Sequence, residues 1–274
     1  MIAILDYGVG NLASVERGLR RAGATDVRVT RSEAETLSAR AVVLPGVGNF
    51  GHCARELRRF GLDLTIATVR ERGIPLLGLC VGMQLLFEGS EEDTATPGLG
   101  ILAGQVRRIA GPVRVPHTGW NRVRRRRMHP WLAALPDAAY LYFVHSYVAE
   151  PLDPGTVVAT VEHGTPLAAA VGADGLLGLQ FHPEKSGAMG LRALGSSTCG
   201  MPAIPSGSPR GTTMRARTSS SSWTSPLPRN DVGPRSIWPP ASPRRSRSPS
   251  AWAVGSIRWT RRPRSCAPGP TRSP

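Results

Sequence analysis

The strongest constraint on this chain is an alternation that fills its first 90 residues. Short apolar runs take turns with stretches of helical periodicity. Ile2, Ile4 and Leu5 form a first strand. Asn11 then caps a helix with apolar positions at Leu12, Val15, Leu19 and Ala22, stopped by Gly23. Val27 and Val29 form a second strand, and Ser32 with Glu35 three residues on is a capping box opening a short helix. Ala41 to Leu44 is a buried third strand. A helical stretch from Phe50 to Arg72, broken near Gly61, leads to a strand from Leu76 to Leu79 and a helix from Val81 to Glu88. Strands joined by helices pair in parallel and are covered on both faces.

After Pro97 the rhythm changes. Gln105 to Ile109, Arg122 to Arg125, Tyr140 to Val144, Val157 to Val161, Leu167 to Val171 and Leu176 to Phe181 are strands separated by turn-rich segments. The expected fold is therefore α/β: a central, mostly parallel mixed sheet with antiparallel additions, flanked by helices. A last helix starts at Gly187, and Gly195-Ser196-Ser197 is expected to interrupt it.

Composition matters at that point. From Leu191 to Pro274 the chain has 14 Arg, 14 Pro and 17 Ser but one acidic residue, Asp231, so this segment carries +13 of the total +15. Such a stretch cannot bury enough apolar surface to order itself. Two domains are expected: a globular one over 1–194, close to neutral, and a disordered Arg/Pro/Ser-rich tail over 195–274. A basic arm for nucleic acid is one reading of the tail. Translation of a GC-rich gene out of frame is the one favoured here, since it also accounts for one lysine beside 33 arginines. Nucleic acid is accordingly not an expected partner, and the run Arg122 to Arg127 reads as a solvated hairpin face.

No basic leader opens the chain, and no run of 18 apolar residues marks a membrane span. Four irregularly spaced cysteines (Cys53, Cys80, Cys199, Cys266) give neither a disulfide framework nor a zinc site. The expectation is a cytoplasmic protein with no metal and no cofactor.

Two motifs carry chemistry. Gly78-Leu79-Cys80-Val81-Gly82 closes a buried strand and opens a helix, which is the cysteine form of a nucleophile elbow. The turn lifts the sulfur to a helix N-terminus, where thiolate is favoured, and the Val81 N–H following it is free to stabilise an oxyanion. An isolated cysteine is far more often a core filler; the strand-turn-helix setting reverses that. His182-Pro183-Glu184 follows another apolar strand, so both polar groups reach the C-terminal edge of the sheet. His182 can hold the thiol proton and Glu184 can fix its tautomer.

With these residues in place, the chain resembles the class I glutamine amidotransferases, and among them the glutaminase subunits of imidazole glycerol phosphate synthase. The resemblance covers Met1 to about Leu194. It rests on Asp6-Tyr7-Gly8-Val9-Gly10-Asn11-Leu12, Pro45-Gly46-Val47-Gly48, Gly78-Leu79-Cys80-Val81-Gly82-Met83-Gln84, Pro116-His117-Thr118-Gly119-Trp120-Asn121, Phe143-Val144-His145-Ser146-Tyr147 and Gln180-Phe181-His182-Pro183-Glu184-Lys185-Ser186.

The resemblance implies a three-layer fold and a Cys80-His182-Glu184 triad that frees ammonia from glutamine through a thioester. Val47 and Val81 would give the oxyanion hole. Gly48, Gln84, Glu92, His145, Ser146 and Tyr147 would line the glutamine pocket. Asn11, Trp120, Asn121 and Lys185 would face a (β/α)8 cyclase subunit, the heterodimer partner in histidine biosynthesis. Thr118 stands where a larger apolar residue is expected. Three other readings compete. An amidotransferase for another synthase would need a Pro-Gly-Gly-type oxyanion loop. A non-enzymatic module has no use for an intact triad. Cysteine peptidases of related fold usually lack the His-x-Glu spacing.

Overall fold

The computed structural model describes residues 1–198. Strands β1 (Ile2–Leu5), β2 (Val27–Thr30), β3 (Ala41–Leu44) and β4 (Leu76–Leu79) alternate with helices α1 (Leu12–Arg21), α2 (Glu33–Leu37), α3 (Phe50–Arg59) and α4 (Leu62–Glu71). Every residue of β1, β3 and β4 is buried, as strands covered on both faces must be. The caps expected from sequence are made: Asn11 accepts from the Ser14 N–H and Ser32 from the Glu35 N–H, both at 3.3 Å. Gly61, in the left-handed region at φ 67°, separates α3 from α4.

Nine strands form one sheet in the order β2-β1-β3-β4-β12-β11-β10-β7-β8. Here β12 (Leu176–Leu179) lies parallel to β4, while β11 (Thr165–Ala173), β10 (Val157–His163), β7 (His117–Arg125) and β8 (Tyr140–His145) continue it antiparallel. Right-handed crossovers put α1 and α2 on opposite faces, because the chain steps from β1 out to β2 and then back past it to β3.

The run from Gln105 does not join this sheet. β6 (Gly104–Arg108) pairs with β5 (Gly89–Ser90) and β9 (Tyr147–Pro151) in a separate three-stranded sheet, two of whose strands the sequence reading did not anticipate. Gly104 allows the approach: a Cβ there would stand 2.4 Å from the Glu150 carbonyl oxygen.

Strands β4 and β12 share the sequence Leu-Leu-Gly-Leu and pair with Gly78 opposite Gly178. The two glycines leave a floor for α5 (Val81–Gln84): a Cβ on Gly78 would sit 2.7 Å from Gly82 O, and one on Gly178 2.7 Å from Met83 Cγ. This helix ends four residues before the expected Glu88. The Glu88 N–H is drawn instead to Gly104 O at 3.2 Å, and the Gly98 N–H bonds to Glu88 O at 2.8 Å, so tertiary pairing outcompetes another helical turn.

The last helix, α6 (Gly187–Thr198), corrects a further expectation. Its backbone runs through Gly195-Ser196-Ser197 without interruption. Glycine and serine cost a helix about 1 kcal/mol or less each, and the buried Ala193 and Leu194 anchor the preceding turn. The expected disordered tail lies outside the described residues, apart from these first four positions.

Candidate active site

Three neighbouring parallel strands end at one edge of the sheet, and each delivers one part of the site. β3 leads into Pro45 to Gly48, β4 into Cys80, and β12 into Gln180 to Glu184. In-register pairing of Leu79 with Leu179 sets Cys80 beside Gln180.

Cys80 stands at φ 52° and ψ −109°, a region that non-glycine residues avoid and that stores strain of about 1–3 kcal/mol. The turn is closed by contact. A Cβ on Gly82 would lie 2.0 Å from Leu44 O, and one on Gly46 would lie 2.6 Å from the Gly82 nitrogen. His182 Nδ1 donates to Glu184 Oε1 at 2.8 Å, with both side chains almost wholly buried. Nε2 is then the ring nitrogen left for Cys80, which lines the same cleft. Burial works against a charged imidazole, but the hydrogen bonds and negative charge of Cys80 and Glu184 outweigh it and raise His182 to about 9. The three triad side chains expected from sequence are thus brought together.

A cleft of about 550 Å³ opens over Cys80 and His182. Asn11, Val47, Gly48, Val81, Gln84, Glu92, His145, Ser146, Tyr147 and Lys185 line it. Pro116 and Val144 line it too, which sequence reasoning did not foresee. Three of the expected pocket groups are already engaged, His145 through its Nδ1 to Tyr147 O at 2.9 Å. Glu92 Oε2 accepts from the Phe50 N–H at 2.7 Å, and Gln84 Nε2 donates to Tyr147 O at 3.1 Å and to Gln180 Oε1 at 3.0 Å.

The oxyanion hole differs from expectation. The Val81 N–H is not free: it donates to Gly46 O at 3.2 Å. A trans peptide carries its C=O and N–H on opposite edges, so the Val47 N–H points away from Val81. The carbonyls on either side of this peptide are pinned. Tyr7 Oη donates to Pro45 O, and Cys53 Sγ donates to Val47 O at 3.4 Å. Burial pushes the Cys53 thiol up to about 11, so it keeps its hydrogen near neutrality.

Trp120 and Asn121 lie on β7, away from the cleft. Trp120 is 54% exposed and packs edge-on to Tyr142. The Asn121 amide is spent inside the chain, on the Arg122 N–H, Glu162 O and His117. Arg122, Arg124 and Arg126 are exposed along β7 and the turn after it, as a solvated face would be.

Two residues near the triad carried no role from sequence. Gln180 Nε2 donates to Cys80 Sγ at 3.7 Å, and Ser186 ties the base loop to β8 by donating to His182 O at 2.6 Å and accepting from the Tyr142 N–H at 2.9 Å. A fully buried amide between Leu179 and Phe181 was the available signal for the first. Among the described residues, no cluster of three His, Cys, Asp or Glu could hold a metal ion, and no helix is long and apolar enough to cross a membrane.

Comparison with known proteins agrees with this geometry. The family described as glutamine amidotransferase class-I matches residues 3–194. The imidazole glycerol phosphate synthase subunit HisH of Dehalococcoides mccartyi (strain CBDB1) is 45% identical over 192 residues, covering 70% of this chain and 93% of that protein. The subunit of the same name from Deinococcus radiodurans is 47% identical over 196 residues, covering 70% and 90%. Among solved structures, a crystal structure of a glutamine amidotransferase superposes with a TM-score of 0.59 at 21% identity, covering 73% of this chain and 99% of that one. PurLQS of Thermotoga maritima gives 0.57 at 18% identity, covering 73% and 97%. At such identities these two speak for the fold alone.

Proposed function

This chain belongs to the class I glutamine amidotransferases, among the HisH subunits of imidazole glycerol phosphate synthase, and on that premise we propose that it hydrolyses glutamine and passes the ammonia to a cyclase subunit. The observation that carries the reading is a strained Cys80 beside a His182 whose other nitrogen is held by Glu184 at 2.8 Å.

The chemistry follows from those three groups. The proton given up by the Cys80 thiol already rests on His182 Nε2 when Sγ attacks the glutamine carboxamide carbon. The carbonyl oxygen becomes an oxyanion in the tetrahedral intermediate. His182 returns its proton to the amide nitrogen, the C–N bond breaks, and ammonia leaves a glutamyl thioester. Water then attacks the thioester carbon as His182 accepts its proton, and glutamate departs with the thiol restored. A histidine raised to about 9 suits this work, since it keeps the proton until the leaving nitrogen needs it.

The oxyanion requires donors that the resting loop withholds. Rotation of the Gly46–Val47 peptide releases the Val81 N–H and turns the Val47 N–H toward it, with Pro45 O and Val47 O pinned as pivots. A donor of this kind is worth about 3–4 kcal/mol in the transition state. The site therefore rests in an inactive form, and engagement of the partner supplies the trigger. Exposed Trp120 on β7, with Asn11 and Lys185 of the cleft lining, forms the proposed contact with the (β/α)8 cyclase. There the ammonia and a phosphoribulosyl nucleotide yield imidazole glycerol phosphate and an aminoimidazole carboxamide ribotide. Cytoplasmic action is proposed with it.

Ammonia release from glutamine, measured for the full chain alone and with the cyclase subunit and its nucleotide ligand, tests the proposal. Release is expected to be slow alone and accelerated by about 10²–10³, the value of one oxyanion donor, in the loaded complex. Equal release in both conditions contradicts the resting loop; none in either contradicts the activity.

A further inference from the structure

A file of hydrogen bonds outside the triad runs from β7 to the nucleophile, and main-chain groups set its direction at both ends. At β7, Asn121 Oδ1 accepts from the Arg122 N–H at 2.7 Å while Nδ2 donates to Glu162 O at 2.8 Å, which settles the orientation of the amide. Nδ2 also lies 3.2 Å from His117 Nε2. That nitrogen must accept, so the neutral His117 ring carries its hydrogen on Nδ1. At the far end, His145 Nδ1 lies 2.9 Å from Tyr147 O, a carbonyl, so His145 also carries its hydrogen on Nδ1 and accepts on Nε2. His117 Nδ1 and His145 Nε2 stand 2.9 Å apart. Derived separately, the two ends give one direction: Asn121 to His117 to His145 to Tyr147 O.

The same carbonyl accepts from Gln84, which donates on to Gln180, which donates to Cys80 Sγ. His117 is gripped between Phe143 and His163, with ring centroids at 4.9 and 4.3 Å. Burial above all lowers both His117 and His145 to about 4. A second proton on either ring would set two N–H groups against each other.

We propose that His117 is a positioning residue for the glutaminase reaction: it locks His145 in one tautomer, and His145 then anchors the pocket wall at Tyr147 whose carbonyl steadies Gln84 and Gln180 beside Cys80. This rests on the glutaminase reading above and deepens it. It also gives the strand that bears Trp120 a polar connection to the sulfur.

The test uses the full chain with its cyclase subunit. His117→Phe keeps the ring stack and removes both hydrogen bonds, whereas His117→Asn retains an N–H near the place of Nδ1. Of the two bonds lost, the one to His145 should raise KM for glutamine about tenfold in His117→Phe, with a smaller fall in kcat, and His117→Asn should recover most of it. Imidazole ¹⁵N spectra of the wild-type chain at pH 7 should show both rings neutral with hydrogen on Nδ1. Unchanged KM and kcat in a folded His117→Phe overturns the proposal, as does either ring carrying its hydrogen on Nε2. Should that variant fail to fold, the wild-type spectra decide. A wild-type complex that releases no ammonia sinks the glutaminase reading instead and leaves the spectra as they are.

Discussion

Cys80 shows how a reactive residue is held in a conformation that its own backbone resists. At φ 52° an L side chain is strained, and alanine would inherit that strain where glycine would not. Elsewhere in a fold, alanine is the more stable of the two. Here Cys80→Gly should exceed Cys80→Ala in unfolding free energy by about 1 kcal/mol, while both lose ammonia release. Urea titration of the two variants checks it, and an alanine variant as stable as the glycine one removes the case for strain. The buried imidazoles give a second prediction at this scale. The folded values of His117 and His145 lie near 4, below the ordinary 6.5, so between those pH values the unfolded chain binds more protons than the folded one. Stability from these rings is present above pH 6.5 and is lost as pH falls toward 4. His117→Asn should flatten the decline in urea midpoint between pH 6.5 and 4.5; an unaltered slope would exclude His117 as its source. That Cys80, His182 and Glu184 lie at one edge of the sheet was legible in the sequence because strand ends announce themselves. The role of His117 was not, because it depends on His145 lying opposite it in the β7–β8 register, a pairing made by the fold.

At the scale of elements, the site depends on small residues more than on large ones. Loop, elbow and helix α5 meet backbone to backbone through Gly46, Gly78 and Gly82, and a Cβ on Gly82 would overlap Leu44 O at 2.0 Å. Gly82→Ala is expected to cost at least the ~1–3 kcal/mol of overpacking, because its neighbour is main chain and cannot swing aside. It should also abolish partner-stimulated ammonia release even where the protein folds. A thermal midpoint within a degree of wild type would show that the contact relaxes. The sequence displayed this crowding as a Gly-x-Cys-x-Gly turn after an apolar run, and the parallel core strands were equally plain from their unbroken hydrophobicity. The length of α5 and the small sheet of β5, β6 and β9 were hidden. Both turn on where the Glu88 and Gly98 backbone groups find partners, and those partners are distant in sequence. Local propensity has no access to such competition.

The whole molecule poses a boundary question, since helix α6 does not stop where the composition changes. It continues to Thr198, and its Leu194 packs close enough to α1 that a Cβ on Gly18 would touch it at 3.0 Å. The sequence revealed the break in composition because arginine, proline and serine displace apolar residues there. It did not reveal the extra turn, because a weak local preference against helix yields to an anchor already buried. The globular unit proposed here therefore reaches at least 198, and the sequence after it carries 13 arginines against Asp231. Deleting 199–274 should leave the unfolding free energy within about 0.5 kcal/mol of the full chain, the range of changes that touch no packed feature. Partner-stimulated ammonia release should be equally unaffected. Deleting from Gly195 instead removes the last hydrogen-bonded turn behind Leu194 and should cost on the order of 1 kcal/mol. Urea titration of the three chains separates the cases. If removing 199–274 lowers stability or turnover by more than the shorter chain's extra loss of the turn, those residues do contribute to the fold. Equal stability of the two truncated chains would return the boundary to Leu194.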